Sequence, residues 1–171
     1  TETLYSLAVQ NNPVWIPDQI HLITTLKGRD NAVESLIGGS GHFAQLLEDY
    51  QLPKSIQFSN DSIHLIHSPE GCPLEDLRTP ADNVAAADTI SELVRSFTED
   101  PLTELHVSLA GGRKTMGFYA GYALSLFGRP QDRLSHVLVS ENYESNADFF
   151  YPTPYPKNIH TIKGQNINAQ R

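Results

Sequence analysis

The residues with the plainest chemical potential run Ser108-Leu-Ala-Gly-Gly-Arg-Lys-Thr115. An apolar, β-rich run ends there, two glycines follow, and a helical pattern begins. Gly111 and Gly112 let the backbone turn tightly and approach a ligand closely. The helix that follows presents unpaired N–H groups and the positive end of its dipole to the same spot. Arg113 and Lys114 add full charges, Thr115 a hydroxyl, and Ser108 and Ala110 the strand end. Every part favours an anion, above all a phosphate. The turn is not a Walker A loop, because Arg113 and not glycine precedes Lys114, and it lacks the G-x-G-x-x-G spacing of dinucleotide sites. The alternative reading is a tight strand–helix turn with two solvated cations.

Further candidates follow from where the elements must end. Thr24 and Thr25 close one strand, Asn83 sits in the first turn of a helix, and Ser140 closes another strand. Each offers a hydroxyl or amide to a ligand, although strand preference alone accounts for the threonines. Asp82 is explained by capping. His21, His64, His67, His106 and His136 fall on strand-like runs without the spacing of a zinc site, so no metal or cofactor is expected. Gly117 and Gly121 suit close helix packing. Tyr143, Phe149, Phe150, Tyr151 and Tyr155 either stack on bases or pack the sheet edge or a dimer partner.

These groups need a scaffold. The chain has 171 residues, of which 39% are hydrophobic, with a formal net charge of −8. That suffices for a single domain over 1–171. The acidity excludes a grip on long duplex nucleic acid, where phosphate neutralisation supplies the affinity. No apolar run approaches the roughly 20 residues of a membrane helix. The lone cysteine, Cys72, leads to the expectation of a reducing, cytoplasmic setting.

Strands are expected at 19–25, 62–67, 104–109 and 133–140. Helices are expected at 31–37, 42–50, 79–98 and 114–127, with a polar loop at 27–30. Thr79-Pro80 followed by Asp82 is a strong helix start, and Gly128 with Pro130 a strong stop. The alternation predicts an α/β, Rossmann-like doubly wound sheet, mostly parallel, with helices on both faces. Such sheets bind ligands beyond the C-terminal strand ends, which is where the candidates cluster. The chain opens in a helical pattern at Thr1, so a preceding first strand is expected. After the aromatic tail, 166–171 shows no closing strand.

Three stretches resemble CRISPR-associated Rossmann-fold (CARF) proteins of type III systems: Leu77-Arg-Thr-Pro-Ala-Asp-Asn83, His106-Val-Ser-Leu-Ala-Gly-Gly-Arg-Lys-Thr-Met-Gly-Phe-Tyr119 and Ala123-Leu-Ser-Leu-Phe-Gly-Arg-Pro-Gln-Asp-Arg-Leu-Ser-His-Val-Leu138. The branch they look like is small and stand-alone. The resemblance implies a homodimer that binds cyclic oligoadenylate, the tetra- or hexa-adenylate ring, across its two-fold axis. It further implies that Lys114, with Arg113 beside it, contacts the ring phosphates and supports metal-independent cleavage, as in the ring nucleases. The other behaviour it implies is a non-catalytic sensor that passes ring binding to a fused or partner effector.

Overall fold

The computed structural model of the chain describes residues 1–38, 41–111, 113–144, 146–161 and 164–170. These residues divide into two compact units. One comprises 21–32 and 59–136, the other 1–20, 33–58 and 137–171.

The first unit holds the candidate turn. Its strands β1 (Leu22–Thr24) and β2 (Ile63–Leu65) run parallel, with Leu22 opposite Ile63 and Thr24 opposite Leu65. The ladder continues in Ile66 N–H, which donates to Thr24 O at 3.0 Å. Helix α2 (Leu26–Ala32) begins directly after β1. Helix α4 (Pro80–Phe97) starts at a complete capping box. The Thr79 hydroxyl accepts from Asp82 N–H at 3.1 Å, and the Asp82 carboxylate accepts from Thr79 N–H at 2.8 Å. Two of the donors stranded at a helix start are thereby satisfied. Strand β3 (His106–Ser108) leads into helix α5 (Lys114–Phe127), and α5 returns the chain to β4 (Arg133–Ser135), parallel to β3. A parallel pair needs such a crossover, and here a helix supplies it.

Helices α4 and α5 pack together over buried Ile90, Val94 and Ala123, with Ile23, Leu105 and Met116 at the margin. A second cluster joins Ile66, Leu77, Ala85 and Ala86, and again Ile23 and Met116 border it. The middle of β1 and the first turn of α5 therefore share one core.

The second unit contains α1 (Glu2–Tyr5), which widens into a π-helical stretch to Gln10, and α3 (His42–Asp49). Leu4, Tyr5, Leu46, Leu47, Ile56 and Tyr151 form its main core. An antiparallel hairpin, β5 (Asn158–His160) with β6 (Asn166–Asn168), closes over Phe149, Ile159 and Ala169.

Several expectations are corrected. Among the described residues the strands form three separate pairs, each strand three residues long, rather than one wide sheet. The polar stretch 27–30 is helical, inside α2. The strand expected over 133–140 ends at Ser135. The segment thought to lack a closing strand carries β6. Of the two readings left open for the aromatic tail, packing is the one seen at Phe149 and Tyr151, which are buried, and the Tyr151 hydroxyl donates to Asp49 Oδ2 at 2.9 Å. Of Gly38-Gly39-Ser40-Gly41, the stretch between the helices expected at 31–37 and 42–50, Gly39 and Ser40 lie outside the described residues. No helix among the described residues is long and apolar enough to cross a membrane.

Candidate functional site

The turn is built as its residue types require. Leu109 N–H donates to Ser135 O at 2.8 Å, so pairing with β4 carries one step past β3. The Ser108 hydroxyl then accepts from Ala110 N–H at 3.3 Å, which uses one candidate side chain to hold the start of the turn. Gly111 has φ +86°, a conformation that a side chain resists. Gly112 lies outside the described residues. Arg113 is extended, at φ −76° and ψ 145°, and its carbonyl accepts from Met116 N–H at 2.9 Å as α5 begins. The first turn of α5 holds no acidic residue. Lys114 and Thr115 are exposed there, and among the described residues no carboxylate pairs with Lys114. A free ammonium, a hydroxyl and a helix N-terminus meet at one exposed place, an arrangement that suits a small anion.

Arg113 differs from Lys114. Its guanidinium grips Asp76 with two bonds, Nε to Oδ1 at 3.0 Å and Nη2 to Oδ2 at 2.6 Å. Asp76 sits in the loop between β2 and α4. Its Oδ1 also accepts from Leu77 N–H at 2.8 Å, and Arg78 Nε lies 3.5 Å from Oδ2. The Arg113 bonds, followed by the Leu77 amide, hold the Asp76 carboxyl down at about 2. Asp76 therefore stays ionised at any physiological pH. Sequence reasoning missed both Asp76 and Arg78. The loop after β2 was visible as a crevice loop, but the pairing spans 37 residues and leaves no local pattern.

The other candidates separate. Thr24 is half-buried on β1, and its hydroxyl lies so near Gly28 that a Cβ built there would fall 1.9 Å from it, so Thr24 packs on α2. Thr25 O accepts from Arg29 N–H at 2.8 Å and opens that helix. The Asn83 amide donates back to Thr79 O at 3.2 Å, within its own helix start. Ser140 belongs to the other unit. There it lines a cavity of about 250 Å³ together with Tyr5, Tyr143, Phe149 and Gln170. Of the predicted set, the structure brings Ser108, Ala110, Gly111, Arg113, Lys114 and Thr115 into one continuous turn.

Histidines pair with each other and with hydroxyls. His21 Nδ1 and His64 Nε2 are 2.9 Å apart beside Phe97, and His106 Nε2 lies 2.7 Å from the Ser135 hydroxyl. Among the described residues no group of three His, Cys, Asp or Glu side chains converges on a point.

Comparison with known proteins adds one finding. A family model described as CRISPR-associated protein NE0113 matches residues 1–170. No curated protein and no solved structure matches the chain.

Proposed function

We propose that this chain, which belongs to the CRISPR-associated NE0113 family, binds a cyclic oligoadenylate through the turn Gly111–Thr115 and cleaves it without a metal. The observation that supports this reading is the state of Lys114. It is exposed at the first position of α5, three residues after a glycine at φ +86°, with no acidic residue in that first turn to compete for it. The parallel pairs β1–β2 and β3–β4, with α2 and α5 following β1 and β3, agree with a Rossmann-like arrangement of the same unit.

In this proposal two copies of the chain face each other across a two-fold axis. Each contributes one turn to a ring of matching symmetry. The ribose 2′-hydroxyl attacks the adjacent phosphorus and the bond to the 5′-oxygen breaks. The products are a 2′,3′-cyclic phosphate and a 5′-hydroxyl, which takes up the proton released by the nucleophile. The protein holds the hydroxyl in line and meets the charge growing on the phosphoryl oxygens. Lys114 is the group for that second task. Arg113, held by Asp76, contributes charge from the side.

The test is incubation of the purified chain with cyclic tetra-adenylate in EDTA, with products separated by chromatography. Linear products ending in a 2′,3′-cyclic phosphate are expected. Lys114→Ala removes a charge-assisted hydrogen bond, a loss of about 1.5–3 kcal/mol or roughly 10- to 150-fold. Binding with no cleavage over many hours would leave a sensor and not an enzyme. Absence of binding would end the proposal.

A further inference from the structure

The Arg113 guanidinium has two edges, and the structure occupies one of them. Nε and one hydrogen of Nη2 are given to Asp76. An arginine fork carries five N–H donors, so three remain, on Nη1 and the outer side of Nη2. Among the described residues no acceptor takes Nη1 of Arg113. Two of the three, one on Nη1 and one on Nη2, form the outer edge an arginine uses for bidentate contact with a phosphate.

Asp76 is itself fixed. Its carboxylate is 25% exposed and is anchored by the Leu77 amide of its own loop. It also draws Arg78 Nε to 3.5 Å, so one carboxylate holds two guanidinium groups that would otherwise repel. Both arginine side chains remain more than half exposed, at 52% for Arg113 and 78% for Arg78. Arginine carries a large rotamer entropy, and a partner that immobilises it before the ligand arrives lowers the cost of binding.

We infer that Asp76 is a positioning residue for anion binding. It holds the inner edge of Arg113 so that the outer edge, together with Lys114, meets a phosphate of the ligand. The inference rests on the phosphate reading of the turn given above and names the residue that pre-organises it. It makes a prediction opposite to simple electrostatics. Asp76 is a negative charge beside an anion site, so removing it should tighten binding by up to a few-fold if charge alone acted. If Asp76 positions Arg113, removing it weakens binding by about tenfold, the value of one charge-assisted bond.

The experiment is a calorimetric titration of cyclic tetra-adenylate at low temperature into the intact chain and its Asp76→Asn, Arg113→Ala and doubly substituted forms. Melting temperatures are recorded alongside. Asp76→Asn should weaken binding about tenfold, and adding it to Arg113→Ala should cause no further weakening, because the loss acts through that one guanidinium. Arg113→Lys keeps the charge but has no second edge, so it should weaken binding to the same degree even if Asp76→Asn folds poorly. Unchanged or tighter binding by Asp76→Asn overturns the inference, as does full affinity in Arg113→Lys. If the parent chain binds and Lys114→Ala weakens it while Asp76→Asn does not, the positioning role alone falls. If the parent chain does not bind, the phosphate reading falls with it.

Discussion

Asp132 is where the scaffold of the candidate turn is most exposed to a single substitution. Its side chain is 1% exposed and takes every bond its two oxygens can reach. Oδ1 accepts from Leu105 N–H at 2.8 Å and Arg129 Nη2 at 2.9 Å, while Oδ2 accepts from Arg129 N–H at 2.8 Å and Arg129 Nε at 2.9 Å. Arg129 reaches on to the carbonyls of Asp100 and Thr103. The cluster thus fixes the entry to β3 against the entry to β4, just outside the paired residues His106 and Arg133. Asp132→Asn keeps the shape but sets an NH₂ group against donors that need an acceptor, which leaves buried N–H groups unpaired. The loss is about 2 kcal/mol at pH 7, the range for one desolvated polar group left without its partner. The charge gives a second, independent handle. The bonds from Arg129, and then the Leu105 amide, hold the Asp132 carboxyl down at about 2. Its folded-state value lies below the unfolded value of about 3.9, so its contribution is complete above pH 4. That contribution is lost as pH falls toward 2. Urea unfolding of the parent chain and of Asp132→Asn, followed from pH 7 to pH 2, should show a gap of about 2 kcal/mol that closes below pH 4. A gap under about 0.5 kcal/mol at pH 7, or one that persists unchanged at pH 2, would mean that the Asp132 carboxylate does not hold the two strand entries together.

Two other outcomes follow from local geometry. Gly111→Ala places a side chain at φ +86° and should cost about 1 kcal/mol of stability, with a larger loss of ligand affinity if the turn distorts, both measurable by melting and titration. His21 and His64 approach to 2.9 Å, and burial lowers the basicity of both, with like-charge repulsion from His64 adding to the effect on His21. Unfolded chains take up those protons more readily, so stability should fall as pH drops from about 6.5. His64→Phe should flatten that slope, and an unaltered slope would remove the pair from the pH response.

Helix α5 was readable in the sequence to the residue, because glycines precede it and Gly128 with Pro130 ends it. Helix α4 was readable for the same kind of reason, its Thr79–Asp82 box. Helix α2 was not. Leu26-Lys-Gly-Arg-Asp30 is polar and contains a glycine, and propensity alone makes it a loop. Gly28 is there because the Thr24 hydroxyl occupies the space of a side chain, a contact of tertiary packing that no periodicity reports. The strands were placed correctly but drawn too long. Runs such as Arg133–Ser140 keep their β-rich character after hydrogen-bonded pairing has stopped at Ser135. The β5–β6 hairpin was missed because each strand buries a single isoleucine, Ile159 or Ile167, against Phe149, too few for an alternating pattern to stand out. In the candidate site, the glycines and cations announced themselves through adjacency. Asp76 did not, since only the fold brings it to Arg113.

That one carboxylate changes what the site can prefer. Arg78, Arg113 and Lys114 supply three positive charges in one unit, set against two carboxylates, Asp76 and Asp82, the latter accepting from Arg78 N–H at 2.8 Å. The patch stays cationic, within a chain whose net charge is −8. A long duplex would have to lay many phosphates along that acidic surface, and beyond about 8–10 Å in physiological salt the patch offers it nothing. A compact ligand of the proposed kind would meet no such penalty, because its phosphates would fall within reach of the patch. Arg113 adds directional selection to this charge selection. With one edge fixed on Asp76, it offers two parallel donors, which match two oxygens of a single phosphate better than a chloride. The same restraint would separate the roles of the two neighbouring cations in the proposed reaction. Arg113 is tethered to Asp76 and would select geometry, whereas the exposed Lys114 would follow charge among the phosphoryl oxygens.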